Sequence, residues 1–310
     1  MIISGVNIEK KKQVPLVSFV VLTYNHADFV KDTIDSALSQ DYPNLEIIIS
    51  DDKSTDSTFS IAKQYVDSRT FQHRVILNCN SENLGLVPHL NFVINNLVHG
   101  DIIVIAGGDD ISMPCRVSES VAILHSNDSI FAVTGQLIRI DKNGNTKKAQ
   151  STVIKDGLYS LNDEYINSIP FMCGGAGLAF RKEVWQTFDS LLSICPTEDS
   201  TMRFRALLLG FIYVSPNVFI KYRIHDNNIS RLDNIYNLQT HGIITQYKHD
   251  LETAEKLNLI AIDVSKRLKR KILIYKLDRN ISAFKLCRPL MIRGFCKLLQ
   301  GILRIIIKYI

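Results

Sequence analysis

The chain has 310 residues, 22% of them charged and 46% hydrophobic, enough for one substantial core with an appendage or for two small domains. Its formal charge of +5 is uneven: residues 264–310 hold thirteen Lys and Arg against the single acid Asp278, a net of +12 that leaves −7 on residues 1–263. A basic end of this kind points to an anionic surface, membrane or nucleic acid, while six scattered cysteines without Cys-x-x-Cys spacing exclude a zinc site or disulfide framework and suit a reducing cytoplasm.

Residues 1–13 read as an N-terminal leader in which Glu9-Lys-Lys-Lys12 stands where an export signal needs an apolar run. Residues 16–22 are apolar and β-branched and predict a first strand ending at Thr23-Tyr24-Asn25. Asp28 is placed to cap a helix with Val30, Ile34, Ala37 and Leu38 on one face, closed by Asp41-Tyr42-Pro43-Asn44. Residues 45–50 predict a second strand ending at Asp51-Asp52, and Ser54-Thr55-Asp56 a cap for a helix striped by Phe59, Ala62, Tyr65 and Val66. A third strand at 74–78 and a helix at about 88–97 lead to residues 102–106, which are too apolar to alternate and so read as a strand covered on both faces. Strands alternating with helices predict an α/β fold with a mainly parallel central sheet flanked by helices.

Gly107-Gly108-Asp109-Asp110 follows that last strand. Taken alone, two adjacent carboxylates before Met113-Pro114 read first as a solvated acidic turn, with a cation site as the alternative. Thr23 to Asn25, Asp51-Asp52 and Asp109-Asp110 all follow strand ends, however, and in a parallel sheet those ends share the edge where ligands bind. The absence of Gly-x-Gly-x-x-Gly after the first strand and of Gly-Lys-Ser/Thr anywhere argues against a dinucleotide dehydrogenase and a P-loop enzyme. Carboxylates in place of bare amides imply that a phosphate arriving here brings its own cation.

Val20-Val-Leu-Thr-Tyr-Asn25, Ile49-Ser-Asp-Asp-Lys-Ser-Thr-Asp56, Asn83-Leu-Gly85, Gly108-Asp-Asp-Ile-Ser-Met-Pro114 and Thr197-Glu-Asp199, in this order and spacing, make residues 15–231 resemble the family 2 glycosyltransferases with the GT-A nucleotide-sugar fold. The nearest flavour is that of bacterial enzymes assembling O-antigen or capsule repeat units on a lipid carrier. The resemblance implies that Thr23, Tyr24, Asn25, Asn83 and Gly85 border the nucleotide and that Asp52 pairs with the uracil edge. It further implies that Asp109 reaches the ribose or the metal shell, and that Asp110 ligates a Mg²⁺ or Mn²⁺ bridging the diphosphate. Asp199 then matches the general base and His225 a third metal ligand. Residues 171–180, with Gly174 to Gly177, would line donor sugar and acceptor. Locally, Glu198-Asp199 also suits a helix N-terminus through the helix dipole, His225 a hydrogen-bonding surface role, and the small-residue run a packed turn. Leu90 stands before Asn91 where relatives often carry Arg, which leaves His89 as the candidate basic contact, and Gly-Gly-Asp-Asp replaces Asp-x-Asp.

The implied organisation is a GT-A catalytic domain over 14–235 and a helical, basic, amphipathic membrane-associating region over 236–310. Arg293, Lys297, Gln300, Arg304 and Lys308 fall on one helical face of an otherwise apolar run, which fits a helix lying in an anionic lipid interface. The alternative is packing on the catalytic body or on a second copy in a homodimer. The expected partners are a UDP-sugar donor, a lipid-linked saccharide acceptor and the cytoplasmic face of the inner membrane, with no nucleic acid because aromatic platforms are not interleaved with the cations. The reading is an inverting, metal-dependent hexosyltransferase; the alternatives are a nucleotidyltransferase and a non-catalytic nucleotide-sugar binding protein.

Overall fold

The computed structural model describes residues 14–146, 155–161, 175–226, 228 and 240–273. The first part of the chain alternates strand and helix: β1 (Val17–Thr23), α1 (Val30–Leu38), β2 (Leu45–Asp51), α2 (Thr58–Asp67), β3 (Arg74–Cys79), α3 (Leu86–Asn96) and β4 (Ile102–Gly107). β1 pairs in parallel with β2 and β4, and β2 with β3. Every residue of β1 and β2 is buried, which is why their sequences do not alternate. Val17, Phe19 and Val21 pack beneath α1 and α4 (Arg116–Ser126), while Val20 and Leu22 point to the opposite layer built on α3, α5 (Lys182–Phe188) and α6 (Asp199–Leu209).

The remaining strands are β5 (Ile111–Ser112), β6 (Ile130–Ile140), β7 (Gly157–Tyr159), β8 (Ala179–Arg181) and β9 (Phe211–Arg223). They extend the sheet to the order β3-β2-β1-β4-β8-β6-β9-β5, with β7 also on β9. Here directions mix. β8 is antiparallel to β4 and β6, β6 is parallel to β9, and β5 and β7 are antiparallel to β9. The central sheet flanked by helices is as expected, with its parallel character concentrated in β3-β2-β1-β4.

One local expectation is corrected. Asp28 does not cap α1: its N-cap is Phe29, with no side-chain bond, and the amides of Phe29 and Val30 both donate to the carbonyl of His26 at 2.9 Å. The backbone turn has already satisfied the donors that a side-chain cap would serve.

α7 (Thr240–Lys256) and a helix at 262–273, α8, cover α5 and α6. Ile243, Ile244, Tyr247, Leu251, Leu268 and Ile272 form a third apolar cluster with Phe188, Phe204 and Leu208. At its centre Arg205 and Asp250 are both 0% exposed, with Nε and Nη2 of the guanidinium donating to the two carboxylate oxygens at 3.0 and 2.9 Å. Residues 240–273 of the basic C-terminal region therefore pack on α5 and α6, whereas the amphipathic run 290–310 lies outside the described residues. Among the described residues no helix is long and apolar enough to cross a membrane.

Asp250→Ala would strand a buried guanidinium, which typically costs about 3–5 kcal/mol. Urea unfolding should show a loss of that order, and an unchanged midpoint would mean that the pair does not hold α7 to α6.

Candidate active site

The carboxyl ends of β1, β2 and β4 open onto one edge of the sheet, as their parallel registers require. The loop after β1 is stitched to the loop after β2. Asn25 sits in the left-handed region at φ 56°, its Oδ1 accepts from the amide and hydroxyl of Thr55 at 2.9 and 3.2 Å, and its amide donates to Ser54 Oγ at 2.9 Å. The Asn25 side chain is thus engaged in loop architecture. Thr23 is buried, and Tyr24 is 41% exposed above it.

Asp52 organises the next loop. Its Oδ1 accepts from Asn80 Nδ2 at 2.7 Å and from the amide of Leu84 at 2.9 Å, and its Oδ2 from the amide of Gly85 at 2.8 Å. Asn83 Oδ1 adds a bond to the same Gly85 amide at 3.1 Å. Gly85 adopts φ +82°, and a Cβ at this position would meet only open space, so backbone conformation rather than crowding calls for glycine there. His89 is buried against Ser50 Oγ at 2.7 Å, and burial pushes its pKa down, so it supplies a neutral ring rather than a cation.

Asp109 and Asp110 face different surroundings. Asp110 is 3% exposed; its Oδ1 accepts the backbone amide of Arg223 at 2.9 Å, and its carbonyl accepts from Thr33 Oγ1 at 2.8 Å. Burial first, and then the neighbouring Asp109, raise its pKa well above the carboxylate range. At Asp109 burial opposes ionisation too, but the His225 hydrogen bond and the nearby charges of His26 and His225 more than offset it, and the pKa falls. Asp109 Oδ2 lies 2.9 Å from His225 Nε2, 3.2 Å from Asn228 Nδ2 and 3.9 Å from His26 Nε2. Gly108 allows this approach: a Cβ there would stand 2.6 Å from His26 Nδ1 and 2.7 Å from Thr23 Oγ1.

Two buried guanidiniums underlie the turn, and neither was evident in the sequence. Arg223, the last residue of β9, donates to the carbonyls of Asp109 and Lys142 at 2.9 Å and to Asp32 Oδ2 at 2.8 Å, and it stacks 4.9 Å from the Phe29 ring centre. Arg116 donates through Nη2 to the carbonyls of Ile105, Ala176 and Leu178, fixing the short turn Gly175–Gly177 beside β4. Gly174 and residues 171–173 lie outside the described residues. His26 was missed as well, although its place directly after a strand-end Asn is the kind of signal that could have found it.

Asp199 opens α6. Its Oδ1 accepts from Thr197 Oγ1 at 2.9 Å and from the amide of Ser200 at 2.5 Å, and Arg203 Nη2 stands 3.5 Å from Oδ2. Beside it, burial and then the Asp199 charge push the Glu198 pKa up to about 7. Among the described residues Glu198 Oε2 has no hydrogen-bond partner.

The family described as Glycosyl transferase family 2 matches this chain over residues 18–188. An uncharacterized glycosyltransferase of Rickettsia felis is 27% identical over 252 residues, which is 79% of this chain and 40% of that protein. The chain thus spans less than half the length of the first curated relatives it matches. An Escherichia coli protein named UDP-Glc:alpha-D-GlcNAc-diphosphoundecaprenol beta-1,3-glucosyltransferase WfaP is 32% identical over 126 residues, 41% of this chain and 48% of that one. Among solved structures, S. aureus TarS 1-349 in complex with UDP-GlcNAc superposes with a TM-score of 0.57 at 17% identity, over 85% of this chain and 81% of that one, a likeness of fold.

The raised Glu198 pKa has a definite stability signature. A carboxyl that ionises near 7 when folded, and near its ordinary value of about 4.3 when unfolded, adds stability below the lower value that is lost as pH rises to the upper. Glu198→Gln should therefore gain melting temperature relative to wild type as pH goes from 4.5 to 7.5. A difference that stays flat over this range would show the carboxyl to be solvated.

Proposed function

The chain belongs to the family 2 glycosyl transferases, and from that premise we propose that it is an inverting hexosyltransferase using a UDP-sugar, with a lipid-diphosphate-linked saccharide as acceptor. The observation that carries this reading is the meeting of Asp109 with His225 and His26 beside the Asp52 loop, at the edge where a parallel sheet receives a nucleotide. The UDP and the lipid carrier are supported by the names of WfaP and of the TarS complex. On this reading Thr23 and Tyr24 border the base and ribose, with Asn25 holding their loop, and the Asp52, Asn83 and Gly85 loop forms the uracil side. The work belongs to O-antigen or capsule assembly at the cytoplasmic face of the inner membrane.

The residues fit a divalent ion with few protein ligands. Among the described residues no three His, Cys, Asp or Glu side chains are gathered into a metal cluster. Asp109, ionised and directed at His225 Nε2, offers a carboxylate oxygen beside an imidazole nitrogen. Mn²⁺ accepts such a mixed pair more readily than Mg²⁺, and nucleotide-dependent sites commonly complete the shell with substrate phosphates. Asp109 and His225 would hold it. Asp110, buried and bonded to the Arg223 amide, supports the turn in place of the direct ligation expected of it. When bound, the ion would stabilise charge on the departing diphosphate as a Lewis acid.

Asp199 takes the proton of the acceptor hydroxyl as that oxygen attacks the anomeric carbon. The hydroxyl of Thr197 and the amide of Ser200 fix one of its oxygens, and Arg203 Nη2 stands near the other. The C–O bond to UDP breaks as the new one forms on the opposite face, which inverts the anomeric centre.

Nucleotide release measured over a panel of UDP-sugars and short lipid-diphosphate saccharides should show Asp199→Asn slowed by about 10² to 10⁴ while donor binding persists. Full turnover by that variant would remove Asp199 from the chemistry. Asp109→Asn should lose Mn²⁺ binding in equilibrium dialysis, and His225→Ala should weaken it. If Asp110→Asn alone abolished binding in a protein of unchanged melting temperature, the assignment of the two aspartates would be reversed.

A further inference from the structure

Nine large apolar side chains are exposed among the described residues, and four of them, Leu257, Leu259, Ile262 and Leu273, belong to the α7–α8 turn and α8. Scattered exposed leucines need no explanation; a concentration of this kind does. Residues 256–273 also carry six Lys and Arg against Asp263 alone.

The helix arranges these groups. Ser265, Leu268 and Ile272 are buried and mark the inward face of α8. At about 100° per residue, Ile262, Lys266, Arg270 and Leu273 then fall within one stripe of about 80° turned away from that face. All four are exposed, Ile262 at 77%. Arg267 is exposed beside the stripe, as is Asp263, and Lys269 is bonded to Glu255 at 2.7 Å on the flank.

We propose that the α7–α8 turn and the outward stripe of α8 dock this protein on an anionic lipid bilayer. The aliphatic side chains enter the boundary between headgroups and acyl chains, and Lys266, Arg267 and Arg270 lie over the headgroups. The patch suits lipid better than nucleic acid. Its exposed large side chains are all aliphatic, whereas the exposed Tyr24 and Phe92, which could stack on bases, lie elsewhere in the chain. Docking deepens the reading of a membrane-presented acceptor and rests on it only for its purpose, since exposure and charge carry the argument.

Full-length protein would be sedimented with vesicles of phosphatidylcholine alone and with vesicles containing a quarter phosphatidylglycerol. Wild type should bind the anionic vesicles, and Lys266→Glu/Arg270→Glu should weaken that binding at least tenfold, since each basic residue near such a surface contributes about 1 kcal/mol. Ile262→Ser/Leu273→Ser should weaken it severalfold. All four sites are exposed, so melting temperatures should stay at the wild-type value. Variants that bind like wild type would overturn the proposal and place the anchor elsewhere, as would a wild-type protein that binds an oligonucleotide but no vesicle. If the wild type docks as stated and yet turns over only soluble acceptors, the docking surface stands and the lipid-linked acceptor falls.

Discussion

The Asp110 carboxylate accepts the backbone amide of Arg223, and this bond sets where the rest of the site stands. Asp110 follows β4, in the parallel part of the sheet, while Arg223 ends β9 in the mixed part. The two-residue strand β5 continues the contact by pairing Ile111 with Lys221 and Ser112 with Ile220. Asp109 and His225, separated by 116 residues, meet because each lies next to one end of this closure. The Arg223 side chain repeats the link through the Asp109 carbonyl and extends it to Asp32 on α1.

Burial gives the two aspartates unlike roles. Two adjacent carboxylates in a low-dielectric setting resist simultaneous ionisation, and surroundings decide which of them keeps its proton. Asp110, enclosed and next to the Asp109 charge, is pushed up despite the backbone amide it accepts, while Asp109, buried too but touched by imidazole nitrogens, is pushed down. The negative charge is thereby concentrated on one side chain. Beneath it Arg116 is held by backbone carbonyls and Ser112, and Arg223 by the carbonyls of Asp109 and Lys142 together with the Asp32 carboxylate.

The parallel core was readable because β1, β2 and β4 are buried on both faces and so write mostly apolar stretches that do not alternate. Positions of Thr23, Asp52 and Asp109 at strand ends followed from those runs. The ranking of Asp109 and Asp110 did not, because adjacent identical residues differ only in what the fold later packs around them. Arg116 and Arg223 were hidden for a related reason: a buried guanidinium satisfied by distant carbonyls has the same local sequence as an exposed one. β6 and β9 also escaped prediction. Their pairing is interrupted by register shifts and mixes buried with half-buried positions, which blurs the two-residue period. Asn25 shows the converse, a polar residue at a ligand-facing edge whose side chain is already engaged by Thr55.

The pairing of Arg205 with Asp250 bears on where the catalytic unit ends. Arg205 lies on the helix that Asp199 opens, and its counter-charge comes from α7, beyond both residue 188, where the family match stops, and residue 235, where a boundary was expected from sequence. A chain cut at residue 188 loses Arg205 and the whole of its helix, and one cut at residue 235 leaves a cation inside an apolar cluster, on the helix that carries the candidate base. Residues 240–273 are thus part of what holds α6 in place, and a minimal folded unit has to be drawn around them.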